Sequence, residues 1–302
     1  MIKYNPKSWI QLIFAFHKSD TVRILWRELI YMTLLSLAIA WVEINFFNNI
    51  HKQLSSLTTI YSLVGFVISL LLVFRTNTAY DRWWEGRKKW GELVNDSRNL
   101  AVKLKVHLES EESRGFFARM ICNFMFAAKE HLRDGTKWEL LDLTGQEYER
   151  IKGRAHPPLA IVQLMYEHLV HLKNQNTITQ IEFLSLDKNL NAFMDSLGAC
   201  ERIKNTPIPY SYSIFLKKFI FIYTSTLPLA FVSVFGYYAA LISVFVFYVI
   251  VSMEVLAEEI EDPFGDDDND LPTDDIAERI SQISYEVLMD KKKINPEIPS
   301  AE

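Results

Sequence analysis

The chain has 302 residues, 49% of them apolar and 23% charged, with 32 basic against 37 acidic side chains and a formal net charge of −5. Ten Gly, ten Pro and 13% aromatic residues exclude a collagen-like, low-complexity or disordered chain. Two distant cysteines, Cys122 and Cys200, exclude a disulfide framework and a zinc ribbon, and the mild acidity gives no electrostatic ground for binding nucleic acid.

The apolar residues are segregated along the chain. A first stretch runs from Ile30 to Ala40, extending to Phe47 if Glu43 sits near an interface. A second, Ser55 to Phe74, holds 20 residues without a charge, and a third, Phe219 to Met253, holds 35. About 20 residues at 1.5 Å each cross a hydrocarbon core of ~30 Å, so the second stretch makes one span and the third makes two, divided near Pro228 and Gly236. The predicted spans are 26–47, 55–74, 211–231 and 235–254. Basic residues set the orientation. Lys3, Lys7, Lys18, Arg23 and Arg27 precede the first span, only Lys52 lies between the first two, and Arg75, Arg82, Arg87, Lys88 and Lys89 follow the second. This distribution predicts a multi-pass protein of the plasma (inner) membrane. Its amino-terminal segment 1–25, middle region 76–210 and carboxyl-terminal segment 255–302 are cytoplasmic; spans one and two occupy 26–75, and spans three and four 211–254. No small-residue cleavage site precedes Ile30, so the amino-terminal segment is expected to be kept.

The middle region reads as amphipathic helices over Ala79–Glu109, Phe116–Leu132, Leu159–Lys173 and Ile178–Ile203, with a Gly- and Pro-containing loop at Gly135–Pro158. No long period-two alternation marks a strand, and no internal repeat is present. The fold class is an all-α membrane protein with four transmembrane helices per subunit and a helical cytosolic region.

The signatures of nucleotide use and hydrolysis are missing, which argues against an enzyme and requires no cofactor. His168 and His171 share a helix face, but with only Glu167 beside them a solvated face accounts for the pair. Three features rise above this background. The second span runs directly into Arg75-Thr76-Asn77-Thr78-Ala79-Tyr80-Asp81-Arg82-Trp83-Trp84-Glu85-Gly86-Arg87, an interfacial anchor dense enough in polar groups to pack on a neighbouring subunit. The acidic run Glu261–Asp270 follows the fourth span; it reads either as a solvated loop or as an oxygen-rich calcium site without EF-hand spacing. The stripe Leu63, Val67, Leu71 reads either as helix–helix core or, in a ring of subunits, as a constriction that gates by dewetting.

The block from Phe74 to Gly91, the turn Asn205-Thr206-Pro207-Ile208-Pro209-Tyr210 and the segment Glu261-Asp262-Pro263-Phe264-Gly265 together resemble the bacterial branch of the bestrophin family of ion channels. The resemblance covers nearly the whole chain in order. It implies a homopentamer in lipid around one central pore, passing monovalent ions passively: chloride and other anions as in animal members, or monovalent cations such as sodium as in bacterial relatives. The implied neck positions are Leu63, Val67 and Leu71, with Phe66 entering on a shift of register. These aliphatic residues stand where the compared members carry Ile or Phe. The implied cytosolic aperture falls on Ile203. The calcium clasp of the animal members falls on Asp267 and Asp270, although Asp262 replaces the Asn that opens their motif. Arg75, Asn77, Tyr80, Arg82, Trp83, Trp84 and Glu85 carry the signature of the first block. A secondary transporter or a membrane-anchored sensor or scaffold is the alternative. A transporter is expected to show paired repeats, broken helices and midplane charge, which this sequence lacks beyond Pro228.

Overall fold

The computed structural model describes residues 21–46 and 57–290. The expectations that rest on Lys3, Lys7, Lys18, Lys52 and the chain beyond Asp290 lie outside these residues. Among the described residues the secondary structure is helical throughout: α1 Thr21–Ile24, α2 Trp26–Phe46, α3 Leu57–His107, α4 Glu111–His131, a 3-10 turn Trp138–Leu140, α5 Gly145–Ile151, α6 Pro157–Asn174, α7 Gln180–Asn205, α8 Tyr210–Phe235, α9 Tyr238–Glu261 and α10 Thr273–Met289. Four helices, α2, α3, α8 and α9, are long and apolar enough to cross a membrane by length and composition.

The second predicted span and the helix expected from Ala79 are one 51-residue helix, α3. Nothing between Phe74 and Ala79 breaks it. Thr76 and Thr78 donate their hydroxyls back to the carbonyls of Leu72 and Phe74, so polar side chains are absorbed by the helix instead of ending it. Pro228 does not end the third span either. It lies inside α8, which continues to Phe235 and stops at Gly236 with φ +55, a conformation that glycine adopts without a Cβ clash. Two further elements were not expected. The Gly135–Pro158 loop contains α5, whose start is closed by a capping box between Thr144 and Glu147. The carboxyl-terminal segment contains α10, strongly amphipathic, with Ala277, Ile280, Ser284 and Leu288 on its buried face.

The chain divides into two compact units. The first comprises residues up to 83, 206–263 and 267–269; the second comprises 84–205, 264–266 and residues from 270 on. In the first, α8 packs on α9 and both pack on α2. Ile68 and Leu72 of α3 join Leu216, Ile220, Tyr223 and Leu227 of α8 and Ile250 of α9 in one buried cluster. Small side chains, Ser36, Ala40, Ala239 and Ser243, are buried where α2 meets its neighbours, which lets the backbones approach. Gly65 of α3 serves the same end: a Cβ there would lie 2.6 Å from Tyr223 Oη.

In the second unit α4 is the central helix, packed on α6 and α10. Phe117, Met120, Ile121 and Phe124 are fully buried, and Phe124 stacks on Phe193 of α7 at 5.0 Å. The loop after α4 is pinned to it. Asn123 exchanges two hydrogen bonds of 2.8 Å with the Asp142 backbone, and Arg119 pairs with Glu147.

Candidate functional site: the α3 face and the arginine–carboxylate cluster

Two features of the first unit concern permeation and assembly. The first is the face of α3 that stays uncovered among the described residues. Leu63 and Phe66 are each 66% exposed, and Val67 and Leu70 lie beside them, less exposed. Leu71 is placed differently: it is half-buried and packs against the Ile68–Leu72 cluster. The cause is helical drift. Four residues turn a helix by about 400°, so a strict i, i+4, i+8 stripe rotates about 40° per step and carries Leu71 from the free face toward the packed one. Phe66, Leu70 and Val73 lie where the free face continues, and Asn77 and Tyr80 continue it with polar and amphipathic side chains.

The second feature is where the three sequence blocks meet. Arg75, with 2% of its side chain exposed, reaches Glu261 of α9 at 2.6 Å and Glu254, two turns earlier, at 3.7 Å. The other oxygen of Glu261 accepts the Ile208 backbone N–H at 2.7 Å. Arg82 donates to the carbonyls of Glu261 and Thr206. Trp83 donates its indole N–H to the carbonyl of Asn269 at 3.1 Å, and the Asn269 amide donates to Glu259 at 2.7 Å. The Arg75 block thus ties the Pro-rich turn before α8 to the end of α9 and the acidic run. Of the signature residues, Arg75, Arg82 and Trp83 turn inward to this cluster. Asn77, Tyr80, Trp84 and Glu85 are exposed, with Tyr80 stacked on Trp83. Glu254 and Glu259 were missed from sequence. Glu254 and Glu261 sit seven residues apart, on one helix face opposite the first arginine after an uncharged span, and that register was the available signal.

Asp267 belongs to the first unit and is exposed; Asp270 belongs to the second and is 2% exposed. The carboxylate of Asp270 occupies the space over Gly265, where a Cβ would lie 2.7 Å from Oδ2. Arg133 of α4 donates to the Phe264 carbonyl and pairs with Asp266 and Asp274. Burial alone would raise the Asp274 carboxyl, but hydrogen bonds from Arg133 and Lys129 overcome it and hold Asp274 at about 2. Ile203, in the last turn of α7, is 6% exposed, whereas Arg202 and Asn205 of the same turn are exposed. His168 donates to or accepts from Ser113 and stacks on Phe116 at 4.4 Å, so it is a packed histidine.

The family model described as bacterial and fungal bestrophin protein matches residues 1–286. A voltage-dependent anion channel-forming protein of Nostoc sp. is 39% identical over 217 residues, 70% of this chain and 71% of that one. The voltage-dependent anion channel-forming protein YneE of Escherichia coli K12 is 33% identical over 282 residues, covering 93% and 91%. The crystal structure of a bacterial bestrophin homologue from Klebsiella pneumoniae superposes with a TM-score of 0.82 at 27% identity, covering 88% of this chain and 98% of that one. This chain belongs to the bacterial and fungal bestrophin family.

Proposed function

We propose that this bestrophin assembles as a homopentamer, with four spans per subunit and both termini in the cytoplasm, and conducts monovalent ions passively across the plasma membrane. The observation that carries the reading is the uncovered, charge-free face of α3. In a ring of subunits, Leu63 and Val67 meet around the axis and form an apolar neck, with Phe66 at its edge and Leu71 supporting it from the packed side. Such a neck resists water until it widens, so it sets conductance and leaves the choice of charge to the flanking vestibules. The curated relatives are named as anion channel-forming proteins, which supports anions ahead of sodium. Assembly is supported in the second unit by large apolar side chains left to solvent. Ile181 is 80% exposed and Val106 75%, flanking the His107–Glu182 contact at 3.0 Å. The second constriction is assigned to the last turn of α7 at Ile203.

Calcium modulation belongs to the same reading, at Asp267 and Asp270. The donors fit a hard cation: the run offers carboxylate and carbonyl oxygens only, and the Asp270 carboxylate is held beneath the surface over Gly265. Bound calcium would supply charge that offsets the mutual repulsion of the five aspartates between Asp262 and Asp270. Calorimetric titration should give heat with the wild type and none with Asp267→Ala/Asp270→Ala; equal heats from both would remove calcium from the reading.

The channel is tested by reconstituting pentamers of verified stoichiometry in a planar bilayer under a tenfold sodium chloride gradient. Reversal near the chloride equilibrium value is expected, and reversal near the sodium value would assign cations. No current, with or without micromolar calcium, would overturn the reading in favour of a transporter or sensor.

A further inference from the structure

The second unit contains a cluster of metal-ligating side chains drawn from three helices. His131 closes α4, His156 is the N-cap of α6 and Glu201 lies just before the last turn of α7. Nε2 of His131 and Nε2 of His156 approach the same oxygen, Glu201 Oε1, at 2.9 and 2.7 Å, and the two rings stand 4.4 Å apart. One ligand atom from each residue falls within 4.8 Å of the others. Each side chain is about a quarter exposed, so an ion has a path from water to the ligand atoms.

We propose that His131, His156 and Glu201 bind a divalent transition-metal ion of the zinc class, with water as the fourth ligand. Two imidazoles and one carboxylate form a borderline-soft donor set that suits zinc and gives calcium or magnesium too few oxygens. Zinc–ligand lengths of about 2.0–2.1 Å in a tetrahedron place ligand atoms about 3.3 Å apart, so the contacts seen here open by only a few tenths of an ångström. Lys204, three residues on from Glu201, is engaged elsewhere. It donates to the Leu132 carbonyl at 2.6 Å and pairs with Asp134 at 2.7 Å.

Binding has one identifiable cost. His156 Nδ1 accepts the Leu159 backbone N–H at 3.1 Å, which places the ring proton on Nε2. A metal on Nε2 moves that proton to Nδ1 and releases the Leu159 amide. Losing such a cap weakens affinity about fivefold, a small factor against the affinity of a three-ligand zinc site. The same step gives the site a signature of its own at the first turn of α6. The site does not depend on the channel reading.

The test uses the full chain in detergent, stripped with chelator and titrated with zinc against a chromophoric zinc indicator. One tight site per chain is expected, weakened at least a hundredfold by Glu201→Gln or His131→Gln and unchanged by His171→Gln. Two measurements on the wild type stand apart from whether the variants fold. Zinc should accelerate hydrogen exchange in the peptide containing Leu159, and should protect His131 and His156, but not His171, from diethylpyrocarbonate. Equal zinc affinity in wild type, Glu201→Gln and His131→Gln, or zinc uptake that leaves both wild-type readouts unmoved, would overturn the proposal, as would no uptake at all.

Discussion

Arg75→Met tests whether the cluster at the start of the post-span block holds the first unit together. The substitution keeps an unbranched side chain in a position with 2% exposure and removes the charge facing Glu254 and Glu261, themselves 6% and 13% exposed. Glu261 retains the Ile208 N–H, but Glu254 meets Arg75 by charge at 3.7 Å and not by a hydrogen bond. Breaking a buried pair from one side costs about 3–5 kcal/mol, because the remaining charge is stranded away from water. With about 2.1 cal/mol/K of unfolding entropy per residue, that is a fall of about 5–8 °C in melting temperature. Tryptophan fluorescence of the detergent-solubilised protein measures it. Adding Glu254→Gln to Arg75→Met should recover part of the loss, since a neutral amide no longer needs the guanidinium. An unchanged melting temperature for Arg75→Met, or strictly additive losses in the double variant, would refute the coupling.

The remaining predictions are separable. Leu63→Ala/Val67→Ala should raise unitary conductance with little change in melting temperature, whereas Leu71→Ala should lower the melting temperature because its side chain supports the buried cluster; single-channel recording and a thermal melt divide the two. Gly65→Ala should cost about 1–3 kcal/mol by overpacking against Tyr223, and Tyr223→Phe, which removes the contacting hydroxyl, should restore most of it. In acid, the depressed Asp274 carboxyl contributes stability that is complete above its unfolded value of about 3.9. That stability is lost as pH falls through about 2. Asp274→Asn should flatten the acid limb of the melting profile between those values.

Where the sequence was misread, the physical cause can be named. The break expected after Phe74 came from a change in composition, from oily to charged. Helical hydrogen bonding is indifferent to that change as long as no proline or positive-φ residue intervenes, so α3 runs through it. Of the two residues near which the third span was expected to end, Gly236 is the stop; Pro228 is buried inside α8, because proline in a span is tolerated where neighbouring helices pack around it. Helix α10 was legible as Ala277, Ile280, Ser284 and Leu288 repeating at helical spacing, a face diluted by the small side chains Ala277 and Ser284. His131, His156 and Glu201 carry no local signal, being 25 and 45 residues apart.

The sequence by itself determined the parts that depend on one-dimensional pattern: charge-free runs of spanning length, the basic residues beside them, the all-helical period and the three motif blocks. Each is written in consecutive or periodically spaced residues. The tertiary structure decided which side of α3 is free, because a helix apolar on every side shows no contrast from which to read a buried face. It also decided that Arg75 closes on Glu254 and Glu261, and that three helices bring two histidines to one carboxylate oxygen. Those pairings join residues that only the packing of whole helices brings within ångströms of one another.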